Sequence, residues 1–93
     1  MASVKIIRKV TVVNKLGLHA RASAELVKLA GQYSSSVELT YGNQLADGKN
    51  IMGLMMLAAT YGSEINITTM GLDAQRAADA ICDLFSKRFG EKE

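Results

Sequence analysis

The stretch Leu16-Gly17-Leu18-His19-Ala20-Arg21-Ala22-Ser23 holds the single histidine of the chain, with an arginine two residues beyond it. It follows a strand-like run and opens a helical pattern, so His19 is expected at a helix N-terminus. There the first backbone N–H groups have no intrahelical acceptor and point at whatever anion the imidazole carries. Arg21 adds a planar fork of donors suited to phosphate oxygens. A neutral imidazole nitrogen is a nucleophile. Phosphoryl transfer asks a protein for an aligned nucleophile and a positive surround more than for covalent work of its own. The layout is that expected of a histidine that accepts a phosphoryl group and passes it on.

The elements that must position these residues fit in one domain, residues 1–93. Hydrophobic residues make up 48% and charged residues 22%, a balance normal for a soluble globular protein. No run is apolar enough to span a membrane. The first residues are interrupted by Lys5, Arg8 and Lys9, which argues against a signal peptide or anchor. A cytoplasmic location is therefore expected. One cysteine, Cys82, excludes an internal disulfide and reads as a buried, inert thiol. One histidine and one cysteine on separate elements give no metal-ligand set, and no cofactor is expected. A net charge of +2 is too small to point to nucleic acid.

With no proline in the chain, the glycines punctuate it. Lys5 to Val13 alternates, with Val10 and Val12 on one face and Lys9 and Thr11 on the other, which predicts a strand. Gly17 marks a turn. Ala20 to Gln32 predicts a helix whose apolar stripe runs through Ala20, Ala24, Val27, Leu29 and Ala30. Val37, Leu39 and Tyr41 mark a second strand. Gly42-Asn43 turns the chain into a short third strand near Gln44–Ala46. Asn50 is a good N-cap for a short helix from Ile51 to about Leu57. Glu64–Thr69 is a fourth strand, broken by Gly71. Asp73 is placed to cap a last helix with Ala77, Ile81, Leu84, Phe85 and Phe89 on one stripe. The order β-α-β-β-α-β-α predicts an α+β open-faced β-sandwich: a four-stranded antiparallel sheet with three helices on one face.

The segment Gly17-Leu18-His19-Ala20-Arg21 resembles the active-site motif of the HPr family, the histidine-containing phosphocarriers of the bacterial phosphotransferase system (PTS). Gly48-Lys49-Asn50-Ile51-Met52-Gly53-Leu54-Met55-Met56-Leu57 resembles that family's second motif, at the expected distance. The similarity runs from about Val4 to Phe89. Two motifs at the right separation are far more specific than either alone. The resemblance implies that His19 accepts a phosphoryl group, on the ring nitrogen nearer the backbone, from phosphorylated Enzyme I and passes it to EIIA proteins or domains. Arg21 would be its charge partner, and the backbone N–H groups of Ala20 and Arg21 would hold the phosphate. A phosphocarrier of this kind is not a self-sufficient enzyme, and a monomer is the family expectation.

The second helix is apolar nearly all round. Leu54, Leu57 and Ala58 are expected in the core, which leaves Ile51, Met52 and Met55 exposed. A methionine-rich patch repacks easily and suits several partners. By resemblance, Leu18, Ala24, Lys28, Lys49, Ile51, Met52 and Met55 form the face that meets Enzyme I and EIIA, with the two lysines at its rim.

Two positions depart from the pattern. Ala22-Ser23 stand where many relatives have Pro-Ala, and proline pre-sets a helix start; the hydroxyl of Ser23 carries no expected role. Asn50 stands where many relatives have a serine that a dedicated kinase phosphorylates. Asparagine keeps the cap and removes the hydroxyl, so that switch is expected to be missing. An alternative within the family is a regulatory paralogue of a nitrogen-type branch, acting by phosphorylation-dependent binding to partner proteins. A nucleic-acid-binding sheet of similar order would need stacking aromatics and a basic stripe, and the sequence offers neither.

Overall fold

The computed structural model describes residues 4–93, so the first three residues of the expected domain lie outside the described part. The strands are β1 (Val4–Thr11), β2 (Ser36–Tyr41), β3 (Gln44–Asp47) and β4 (Glu64–Gly71). The helices are α1 (Ala20–Ala30), α2 (Ile51–Met56) and α3 (Ala74–Ser86), followed by a 3-10 turn at Arg88–Gly90. The four strands form one antiparallel sheet in the order β1-β4-β2-β3. β1 runs the length of β4, from Val4 opposite Gly71 to Thr11 opposite Glu64. β2 joins the other edge of β4, with Ser36 opposite Met70, and Leu39 opposite Ile67.

Alternation along the strands decides which face is covered. Val37, Leu39, Ile65 and Ile67 are buried, while Glu38, Glu64 and Asn66 between them are exposed. The helices lie over the buried face, giving the open-faced sandwich that the element order predicts. Leu26, Ile81 and Phe85 from the helices meet those strand residues in a single core.

The helical stripes differ in phase from the expected ones. On α1 the buried residues are Ala22, Ser23, Leu26 and Ala30; Ala20 and Ala24 are exposed and Val27 is half-buried. The small alanines gave the periodic pattern little leverage, and the burial of Leu26 sets the true face. α2 stops at Met56. Leu54 and Leu57 are buried as expected, but Ala58 is exposed in a left-handed conformation, φ +52°, and Ala59 takes the core position instead. Asp73 does begin α3, yet its side chain makes no cap. Its carboxylate instead accepts hydrogen bonds from Ser34 N, Ser35 N and Ser35 Oγ, tying the α1–β2 loop to the start of α3. Cys82 is only half-buried against the core.

The end of the chain departs most. The apolar stripe of α3 predicts a helix through Phe89, but the helix ends at Ser86. Arg88 and Phe89 adopt left-handed backbone, φ +57° and +55°, and Gly90 follows at +79°. Phe89 stays buried by this reversal and packs edge-on against Phe85, with ring centroids 4.9 Å apart. Residues 91–93 are thereby turned back towards the loop before α1, where Lys15 N donates to Glu93 O at 2.9 Å.

Candidate functional site

The loop between β1 and α1 is held from below. Gly17 has φ +68°, and a Cβ there would sit 2.4 Å from Ala59 O. The next residue, Leu18, donates its N–H to that same carbonyl at 3.0 Å. Its side chain is buried, 4% exposed, so Leu18 anchors the loop in the core and does not belong to the exposed face expected for it. Ser23 supplies the rest of the brace. Its Oγ donates to Leu18 O at 3.1 Å, and its N–H donates to His19 O at 2.9 Å. A hydroxyl with no role assigned from sequence therefore ties the first turn of α1 to the loop before it.

His19 is the N-cap residue of α1, with extended backbone and no side-chain capping bond. Its imidazole is thus free of the helix it precedes. The N–H groups of the first turn, those of Ala20 and Arg21 among them, lack intrahelical acceptors. No acidic residue lies in that first turn to offset the positive end of the helix.

The negative charge comes from the far end of the chain. Glu91 Oε2 lies 2.5 Å from His19 Nε2 and accepts from Arg21 Nη2 at 2.8 Å. Arg21 Nη2 also donates to Phe89 O at 3.0 Å. The other carboxylate oxygen, Glu91 Oε1, accepts from Asn14 Nδ2 at 3.1 Å, and Asn14 is fully buried and donates to Gly17 O as well. Burial pushes the Glu91 carboxyl up, but the hydrogen bonds from His19, Asn14 and Arg21 together bring it below the ordinary glutamate value. His19 and Arg21 are therefore brought together as the spacing implies. Glu91 and Asn14 are the members of the cluster that sequence reading missed. Neither carries a local signal: Asn14 looks like loop punctuation and Glu91 like a solvated tail residue.

The helix α2 presents an apolar surface. Met52 is 64% exposed, Met55 40% and Ile51 36%, and Met56, not singled out from sequence, is the most open at 75%. Ala24 and Lys28 on α1 are exposed. Lys49 is exposed too, and its ammonium donates to Tyr33 O at 2.8 Å, so it bridges the end of α1 to the start of α2. Asn50 caps α2, its Oδ1 accepting from Gly53 N at 3.2 Å. The carbonyl of Ala59 holds Gly17 and Leu18, which couples the His19 loop to the chain leaving α2.

Residues 6–87 match the family described as the PTS HPr component phosphorylation site. The chain is 51% identical to phosphocarrier protein HPr of Cupriavidus necator over 92% of its own length and 97% of that protein's. It is 40% identical to phosphocarrier protein NPr of Shewanella violacea, covering 94% of this chain and 96% of the relative. The fold is similar to the crystal structure of HPr-C-His from Thermoanaerobacter tengcongensis, with a TM-score of 0.85, 34% identity and full coverage of both chains.

Proposed function

The chain belongs to the PTS HPr family, and we propose that His19 is the residue on which it carries the phosphoryl group. The observation that carries this reading is the placement of His19 at the N-cap of α1 with the Arg21 guanidinium held beside the ring through a shared carboxylate. The donor is phosphorylated Enzyme I and the acceptors are EIIA proteins or domains. The phosphoryl oxygens are held by the free N–H groups of Ala20 and Arg21. Arg21 supplies the positive charge. Because the group must leave again, a partly exposed and lightly held phosphate serves transfer better than a closed clamp. The protein is consumed and regenerated in each cycle and is a carrier, not a catalyst.

Partners dock on Ala24, Lys28, Lys49, Ile51, Met52 and Met55, to which the structure's exposure of Met56 adds a further apolar contact. An exposed, unbranched methionine surface can repack against unlike partners. The chain acts as a cytoplasmic monomer. No helix among the described residues is long and apolar enough to cross a membrane. Asn50 has no hydroxyl, so no serine switch operates at that position. A second reading is favoured by the similarity to NPr: the same site serving a nitrogen-type regulatory branch, through binding that depends on the phosphorylation state.

Intact mass spectrometry after incubation with phosphoenolpyruvate, magnesium and Enzyme I tests the central point. A single acid-labile phosphoryl adduct is expected, absent from His19→Ala. An adduct that persists in the variant would place the acceptor elsewhere. No adduct on the unsubstituted protein with a competent Enzyme I would remove the carrier role for His19.

A further inference from the structure

Glu91 faces one of the two ring nitrogens of His19, Nε2, and leaves Nδ1 without that partner. Glu91 is the meeting point of donors from Arg21, from the fully buried Asn14 and from the imidazole itself, and its side chain is only 12% exposed. A carboxylate enclosed by an arginine and an amide N–H is ionised, and an ionised carboxylate can only accept hydrogen bonds. The Nε2 atom of His19 must then be the donor. A neutral imidazole with its proton on Nε2 has its lone pair on Nδ1. Glu91 lies beyond residues 6–87, the segment matched by the family, so the family motif does not contain it.

We propose that Glu91 is a positioning residue for phosphoryl transfer: its carboxylate holds the Nε2–H of His19, presents Nδ1 as the nucleophile, and stabilises the positive charge the ring gains on reaction. This rests on the reading of His19 as the phosphoryl acceptor. In the step itself, the Nδ1 lone pair forms the nitrogen–phosphorus bond. The bond between phosphorus and the donor atom breaks, and its electron pair stays with the donor. The proton remains on Nε2, so the ring becomes cationic, directly against the Glu91 carboxylate. A carboxylate orienting an imidazole and stabilising its cation is the role of the aspartate in a Ser-His-Asp triad. Here the imidazole is itself the nucleophile. The tail is kept in place for this by the burial of Phe89 and by the Asn14 amide.

The test uses the full chain with Glu91→Gln, which keeps an acceptor and removes the charge, and Glu91→Ala, which removes both. Rates of adduct formation from phosphoenolpyruvate and Enzyme I are read by mass spectrometry. The His19 ring is read by ¹H–¹⁵N NMR under alkaline conditions, where a protected Nε2-bound proton is expected in the unsubstituted protein. Amide spectra confirm that both variants fold. Loss of the carboxylate that orients a metal-ligating histidine typically costs about 10- to 100-fold, and a loss of that order is taken for a carboxylate that orients a nucleophilic one. That slowing is expected for Glu91→Gln, with the protected Nε2 proton lost in Glu91→Ala. An adduct on the unsubstituted protein, with both variants within twofold of its rate, would overturn the positioning role. A ring proton found on Nδ1 would do so as well. No adduct on the unsubstituted protein would instead overturn the acceptor reading on which the role depends.

Discussion

Asn50 illustrates what a single side chain can be asked to do at the head of a short helix. Its Oδ1 takes the N–H of Gly53, satisfying a first-turn donor of α2 that has no intrahelical partner. Replacing a capping asparagine by alanine costs about 1 kcal/mol, whereas serine caps comparably. Asn50→Ala should therefore lower the denaturation free energy by about that amount, and Asn50→Ser should leave it nearly unchanged. Asn50→Ser should also restore at the head of α2 the hydroxyl that a serine kinase would need. The unsubstituted chain has no serine between Ser36 and Ser63, so phosphoserine formed on it by a kinase that modifies Asn50→Ser would show that the asparagine does not remove the switch. Gly17 makes the same point for backbone. Its left-handed φ and the nearness of Ala59 O leave no room for a side chain at that one position of the loop that presents His19.

Between elements, Asp73 does more than begin a helix. Its three hydrogen bonds run to the α1–β2 loop, so it joins two connections that the sequence separates widely. The Ser35 hydroxyl, followed by the Ser34 N–H, holds its carboxyl at about 2, against an ordinary value of 3.8. A carboxyl whose pKa is depressed on folding contributes stability that is present above its unfolded value and lost as the pH falls through the folded one. The stability due to Asp73 should therefore decline between roughly pH 4 and pH 2. Asp73→Asn should melt at a lower temperature at neutral pH, with its deficit shrinking across that interval. Circular-dichroism melts of both proteins from neutral to acid pH would show it. A deficit independent of pH would mean that the ionised carboxylate is not what holds the loop.

For the molecule as a whole, the last turn decides whether the candidate site is complete. Phe89 is the wedge: buried at 3% exposure, it fixes a reversal that runs through consecutive left-handed residues and returns Glu91 to His19. Removing a buried phenylalanine costs about 3–5 kcal/mol, a large share of the 5–15 kcal/mol that stabilises a typical domain. Phe89→Ala should show a loss near the lower end of that range, about 3 kcal/mol, in urea denaturation. Even where the domain stays folded, the His19 Nε2 proton should lose its protection because the tail is no longer held. A variant that keeps that protection would place the anchor of Glu91 elsewhere, in Asn14 and Arg21 alone.

The sequence by itself determined the order of elements, the antiparallel open sandwich and the placement of His19 at the head of α1. These follow from interactions over a few residues: strand alternation, glycine turns and unsatisfied N–H groups at a helix start. It also placed Met52 and Met55 outside, since a helix apolar all round cannot bury every face of a one-sided layer. It misphased α1, because alanines weigh little against one leucine, and it extended α3 to Phe89, because the stripe continues in phase after the helix has ended. Only the tertiary structure decided that Leu18 is core, that Ser23 closes the loop, that Asp73 serves a loop rather than its own helix, and that Glu91 meets His19 across a separation of 72 residues. Those contacts arise from closure of the chain over the core, and the last of them from the burial of Phe89, which no local pattern records.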